Sequence, residues 1–342
     1  MRALVLPLAA AGYSRQILRP EPTVNVSPVH RFHCDDAALL AALHRDGFAV
    51  VRNVASPSQL SRAWELLWDL LYQEAGWKEH DSSTWTDETL ALLDPGAWAS
   101  GILSADRIGQ SELAWMMRTL PLVQCAFRRI WGTSALLTSF DGANIFRPWQ
   151  HGFSKTQGGW FHVDQGRGRQ GLQAVQGFVS LTDQDEFTGG LYLVPGSHHN
   201  HSREVAWQDW PARSNASSDF FRLPWWSPVM AQARRLVYCR AGDLVLWDSR
   251  TAHCSGPALK RPIPTAPHQL LRAAVYVCMT PKRWATITTL RARRLAYAQG
   301  LTTGHWPHLE PQRTSSPLDW TSEDEALLAL QAADPARRSL IG

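Results

Sequence analysis

Gly158-Gly159-Trp160-Phe161-His162-Val163-Asp164-Gln165, residues 158–165, is the stretch on which the reading of this chain turns. The glycines interrupt the preceding chain, and the aromatic and β-branched residues after them predict a strand over 160–164. Side chains at i and i+2 of a strand share a face about 7 Å apart, so His162 and Asp164 can converge on one ion. Two other His-x-Asp triplets occur, His33-Cys34-Asp35 and His44-Arg45-Asp46. Both fall at the predicted ends of one short helix, where i and i+2 diverge by about 200° and cannot close on a metal. Asp35 is better used as a helix cap.

A third ligand is expected from a strand lying beside this one. Gly242-Asp243-Leu244-Val245-Leu246-Trp247-Asp248-Ser249-Arg250-Thr251-Ala252-His253 offers it. A Gly-Asp turn leads into a buried-type strand that delivers His253 near its far end. Two histidines and one carboxylate on one side of an ion, with open positions opposite, is the donor set of non-haem iron(II) that activates oxygen.

Outward from these stretches, short apolar segments separated by Gly, Pro and Asp predict strands at 136–140, 143–147, 160–164, 174–182, 190–194, 235–239, 243–248 and 271–279. That pattern is an all-β sandwich or barrel. The region before it reads as helical. Asp35 or Asp36 caps a helix that ends near Gly47, and a strand follows over 48–54. Ser56-Pro57 opens a second helix, with Ser as cap and Pro in the first turn. A helix over 111–131 restarts at Pro121. Beyond Pro281 the chain returns to helix over 284–299, with a final short helix at 326–332. Residues 200–228, rich in Trp, Ser and Pro, form a long insertion of the kind that is either a functional lid or disordered. The predicted organisation is a flexible N-terminal extension (1–30), a domain over 31–300 and a C-terminal tail (301–342). Within the domain lie a helical flank (31–135), a β core (136–281) and an outer helix (282–300).

A formal net charge of +4 over 342 residues is too small to mark a nucleic-acid binder. Arg291, Arg293 and Arg294, with Lys282 and Arg283 upstream, read as a solvated face. Seventeen tryptophans imply an aromatic-rich interior or pocket. Five scattered cysteines without a Cys-x-x-Cys pair argue for a reducing compartment and against a disulfide framework or a thiolate zinc site. No apolar run is long enough to span a membrane. The N-terminal stretch, with Arg2, Arg15 and Arg19 and no acid before Glu21, fits a mitochondrial presequence, a short signal region or a plain cytoplasmic extension. The cytoplasmic reading is the simplest.

The sequence resembles the phytanoyl-CoA dioxygenase family of iron(II)- and 2-oxoglutarate-dependent oxygenases over roughly residues 46–281. The resemblance rests on the 47–54 strand, the 160–165 ligand strand, and Gly189-Gly190-Leu191 running to Pro195-Gly196-Ser197-His198. Gly242-Asp243, Trp247 to His253 and Arg272 complete it. It implies a double-stranded β-helix, a cupin-like jelly roll with added helices. It implies iron(II) held by His162, Asp164 and His253, with 2-oxoglutarate and O2 as co-substrates.

Arg272, at the start of the next strand, matches the family's anchor for the far carboxylate of the keto acid, which a guanidinium grips with two parallel hydrogen bonds. Arg261, in the loop before it, is the competitor. Ser255 matches a family hydroxyl that joins the arginine. Asn144 and Gln176, on neighbouring strands, are placed to reach the keto acid or substrate. Trp160 and Trp247 read as packing that shields the metal. His198, His199 and His201 resemble a second metal cluster but are better read as a turn whose following histidines face solvent. Lys155, Arg167 and Arg169 either meet an anionic group or solvate a loop.

The implied activity is hydroxylation of a C–H bond of a small organic substrate, with release of succinate and CO2. No nucleic-acid or membrane partner is expected, and Asp164 argues against a halogenase. The alternatives are a metal-binding jelly roll that works without 2-oxoglutarate, and a non-catalytic binding protein of the same fold.

Overall fold

The central strands of this chain are buried at every position rather than at every second one. Phe48–Val51, Val175–Ser180 and Leu244–Asp248 are buried throughout their length in the computed structural model, which describes residues 22–206, 220–261, 269–311 and 317–342. Such runs suit sheets covered on both faces. The larger sheet runs β2 (Arg31–Phe32), β3 (Phe48–Val51), β12 (Leu244–Asp248), β8 (Val175–Ser180), β14 (Arg272–Pro281), β6 (Ala143–Phe146) and β4 (Ile102–Leu103). β5 (Leu136–Thr138) pairs with the far end of β14. The smaller sheet runs β1 (Val24–Asn25), β11 (Arg234–Leu236), β9 (Gly190–Leu193), β13 (His253–Gly256), β7 (His162–Val163) and β10 (Phe221–Arg222). From β11 onward the chain alternates between sheets, β12 in the larger, β13 in the smaller, β14 in the larger again. This is the path of a double-stranded β-helix, the expected jelly roll with flanking helices.

The helices cover the larger sheet. Pro57–Ala75 starts where the sequence places it, with Ser56 and Gln59 forming a reciprocal capping box. Glu112–Thr119 and Pro121–Trp131 meet at the proline break. Under them Trp64, Trp68, Trp85 and Trp77 stack in series, and Trp77, Trp85 and Trp115 are fully buried. Much of the tryptophan excess is therefore core. Asp35 is not a cap: its carboxylate meets His33, while Asp36 accepts from the Ala38 N–H at the start of Ala38–Asp46.

Both ends of the predicted domain need revision. Residues 1–21, which hold the ambiguous targeting stretch, lie outside the described residues, but Val24–Asn25 pairs in parallel with Arg234 and Arg235. The chain after 300 is no loose tail. Glu323–Ala332 and Pro335–Ile341 pack on the helix Ile287–Ala298, with Leu340 and Ile341 buried.

This packing also corrects the solvated-face reading of the arginines. Arg291 is exposed and meets Glu323. Arg293 is buried, donating to the carbonyls of Thr138, Pro307, Leu340 and Ile341, and burial pulls its pKa down to about 9. The last carbonyls of a helix lack partners of their own, and a guanidinium fork satisfies them. Periodicity on one helix gives no hint that another helix ends against it.

One disulfide forms where the cysteine pattern pointed to a reducing compartment and no disulfide framework. Cys34, ahead of the first helix, and Cys125, on Pro121–Trp131, are bonded with Cα atoms 5.8 Å apart, whereas Cys239, Cys254 and Cys278 are free and buried. The two lie 91 residues apart, so only packing of the helical flank reveals the pair. Closing so long a loop restricts the unfolded chain, and Cys34→Ser is expected to cost about 2–4 kcal/mol of stability. Denaturant melts of wild type with and without reductant, beside the variant, check this. Coincident midpoints would show that the bond contributes nothing.

Candidate metal centre

His253 does not end the strand that precedes it. β12 stops at Asp248, residues 249–252 turn, and His253 opens β13 in the opposite sheet. The turn is held by the Thr251 N–H donating to the Asp248 carbonyl (2.8 Å) and the Thr251 hydroxyl donating to that of Gly47 (3.0 Å). A Cβ on Gly47, whose φ is +77°, would lie 2.4 Å from that hydroxyl, so this contact requires glycine. In β13, His253 lies directly opposite His162 of β7. Directly paired residues of antiparallel strands share a face, and the two ring centroids are 4.3 Å apart.

Asp164 completes the group one step past β7. His162 Nε2 lies 3.4 Å from Asp164 Oδ1, and His253 Nε2 lies 3.3 Å from Asp164 Oδ2. Donor atoms of the three residues fall within 4.8 Å of one another, and no other such group of histidine, cysteine or acidic residues occurs among the described residues. The donor set fits a divalent transition metal. Each Nδ1 faces a backbone carbonyl, that of Trp160 for His162 (3.3 Å) and that of Thr251 for His253 (2.9 Å). Those contacts fix the tautomers and turn both Nε2 atoms toward the ion.

All three side chains are buried. Burial pushes the Asp164 carboxyl up, but the adjacent imidazoles outweigh it and hold the group well below its ordinary value. Burial lowers His162, keeping it in the neutral form that a metal requires. Trp160 stacks on His162 (4.9 Å, 7°), Phe220 covers it at 4.6 Å, and Trp247 lies 5.3 Å from His253. Both tryptophans pack against the ligand imidazoles.

Gln176 points at the metal ligands: its Nε2 donates to Asp164 Oδ2 (2.9 Å), so it orients the carboxylate. Arg272 is fully buried. Its NH1 donates to Asn144 Oδ1 and its Nε to Gln184 Oε1 (3.2 Å), while its guanidinium lies over Phe146 and Phe178. A cavity of about 270 Å³ is lined by the three ligands together with Ser255, Gln176 and Arg272. Asn144 is not among the lining residues but bonds two that are, Arg272 and Tyr276. Arg261, the competing anchor, is exposed, and residues 262–268 beside it lie outside the described residues.

The histidine cluster and the basic residues of the sequence reading lie apart from the three ligands. His198 Nε2 meets the His44 carbonyl (2.9 Å) and His201 Nε2 that of Gln165, so His201 is buried rather than solvent-facing. Lys155 rests on Trp149 and Arg169 on Trp306. Residues 207–219, the middle of the expected lid, lie outside the described residues, but Phe220 after them lines the cavity.

Sequence reading missed Gln184, Tyr276, Asp141 and the segment 303–305, all placed in or behind this cavity. Tyr276 had a signal, since it stands four residues from Arg272 on one strand face. Asp141 had only its Asp-Gly turn, and His305 had none.

A family model described as phytanoyl-CoA dioxygenase matches residues 43–259. The chain is 32% identical over 276 residues to Ava biosynthesis cluster protein O of Aspergillus versicolor, covering 78% of this chain and 84% of that protein. Among solved structures, it resembles a non-haem alpha-ketoglutarate-dependent carbocyclase, SnoK, from nogalamycin biosynthesis. The identity there is 18% and the TM-score 0.49, over 85% of this chain and 98% of that one. EctD from S. alaskensis, solved with 2-oxoglutarate and 5-hydroxyectoine, is 18% identical with a TM-score of 0.48, over 79% of this chain and 86% of that one.

The geometry sets an order of losses on mutation. Asp164→Ala is expected to abolish tight binding of one cobalt(II) or iron(II), and Gln176→Leu to weaken it roughly 10–100-fold by freeing the carboxylate. Anaerobic titration followed by absorption checks both. Wild-type affinity in Gln176→Leu would remove the orienting role.

Proposed function

The chain belongs to the phytanoyl-CoA dioxygenase family of non-haem oxygenases, and on that premise we propose that it is an iron(II)- and 2-oxoglutarate-dependent dioxygenase hydroxylating a C–H bond of a small organic substrate. The observation that carries the co-substrate reading is Arg272. It is buried, and its contacts among the described residues are the amides of Asn144 and Gln184, the Tyr276 hydroxyl and aromatic faces, with no carboxylate in salt-bridge contact. Burial lowers its pKa, and an uncompensated buried guanidinium is costly. An anion entering the cavity removes that cost, and the far carboxylate of a 2-keto dicarboxylic acid has the matching planar geometry. Ser255 lines the same cavity and can donate to it.

In this reading His162, Asp164 and His253 hold the iron through one face, leaving positions open for the keto acid and O2. Bound iron supplies the oxidation: 2-oxoglutarate, O2 and R–H become succinate, CO2 and R–OH, with one oxygen atom in each organic product. The protein does the positioning. Gln176 and the two backbone carbonyls fix the ligands, Asn144 and Gln184 fix the arginine, and Trp160, Phe220 and Trp247 keep water from the reacting face.

Anaerobic addition of iron(II) and 2-oxoglutarate to the apoprotein should produce the metal-to-keto-acid charge-transfer band. Arg272→Ala should raise the 2-oxoglutarate concentration needed for half-saturation more than tenfold while metal binding persists, with Arg272→Lys intermediate. A wild type that binds iron but shows no band would favour a jelly roll that works without 2-oxoglutarate.

A further inference from the structure

The cavity has a second polar end that the iron and co-substrate reading leaves unused. The turn between β5 and β6 carries Asp141, and the chain after Ile287–Ala298 carries Thr303, Gly304 and His305 to the same wall. These segments are tied together. The Thr303 N–H donates to the Phe140 carbonyl (2.9 Å), and the Gly109 N–H donates to the Thr302 hydroxyl (2.8 Å), which donates in turn to the Ala105 carbonyl (2.6 Å). Gly142 presses so closely on the Leu103 carbonyl that a Cβ there would lie 1.8 Å away. These contacts fix the backbone of the wall.

Its polar atoms are acceptors. Asp141 Oδ1 takes the Ser139 hydroxyl (2.7 Å) and faces Arg118 at 3.9 Å. The Thr303 hydroxyl spends its proton on the Gly304 carbonyl (3.2 Å), leaving its oxygen to accept. His305 Nε2 is buried and makes no hydrogen bond. Leaving such an atom unpaired costs about 1–3 kcal/mol, which a ligand can recover. Asp141 and His305 line the same cavity as His162, Asp164 and His253, so this end and the metal centre face one space.

We propose that Asp141, Thr303 and His305 are the substrate-recognition end of the cavity and receive the protonated nitrogen of an amine substrate with an apolar body. This rests on the dioxygenase reading, which assigns the other end to iron and the keto acid. An ammonium group brings three donors to three acceptors, whereas a hydroxyl brings one and a carboxylate meets Asp141 as a like charge. Ile102, Trp160 and Phe220 line the space between and suit an apolar or aromatic body.

The test uses the anaerobic iron(II)–2-oxoglutarate complex and three probes of similar size: 2-phenylethylamine, 2-phenylethanol and phenylacetate. Calorimetric titration should show the amine binding at least tenfold more tightly than the alcohol, with the acid weakest. Asp141→Asn should remove the preference for the amine, and His305→Phe should reduce it several-fold. His305→Phe keeps a ring in place and loses no internal hydrogen bond at Nε2, so its melting temperature should stay near that of wild type. Both variants should retain the charge-transfer band. An amine that binds no better than the alcohol, or a preference untouched by Asp141→Asn, overturns the assignment while the co-substrate reading stands. Absence of the band in wild type overturns that reading and this inference with it.

Discussion

The pairing of His253 with His162 across β13 and β7 is the constraint on which the site depends. A slip of one residue in either strand would turn one imidazole to the opposite face. β7 is only two residues long, so its own ladder cannot fix this register. It is fixed from both sides. β13 is locked to β9 over four positions, from His253 opposite Leu193 to Gly256 opposite Gly190, and a Cβ on Gly256 would strike the Tyr192 ring. The ligand strand is held by the Asp164 N–H donating to the Ser249 carbonyl and the Leu223 N–H donating to that of Phe161, both 2.9 Å. The metal ligands thus inherit their precision from backbone hydrogen bonds that carry no chemistry.

The two sheets then divide the work. The smaller presents His162 and His253, with Asp164 just beyond, and the larger presents Gln176 and Arg272. One antiparallel ladder joins the latter pair, since β8 and β14 lie side by side with Gln176 opposite Cys278 and Phe178 opposite Tyr276. An anion held by the arginine is therefore referred to the same framework as the carboxylate ligand. Buried opposite charges in such a space interact far more strongly than in water, and so orient a small polar ligand firmly.

The helical additions are part of this arrangement rather than decoration. The chain after 300 supplies a wall of the cavity, and its last helix is anchored by the buried Arg293. Cys34–Cys125 ties the start of the domain to the helix behind the larger sheet. No helix among the described residues is long and apolar enough to cross a membrane.

By itself the sequence determined the elements. Apolar runs between turn residues placed most core strands to within a residue or two, and Ser56-Pro57 and Pro121 marked helix boundaries, because these signals are local. It also separated His162-Val163-Asp164 from two other His-x-Asp triplets, since only that one lies on a predicted strand. Tertiary structure alone decided what those elements bring together. It moved His253 into a different strand and sheet, gave Gln176 to Asp164 and Asn144 to Arg272, joined Cys34 to Cys125, and carried Asp141 and His305 to one wall. Each of these is a contact between residues distant along the chain, and no periodicity or cap encodes such a contact. It follows from which faces two sheets bury against each other and where the covering helices then have to end.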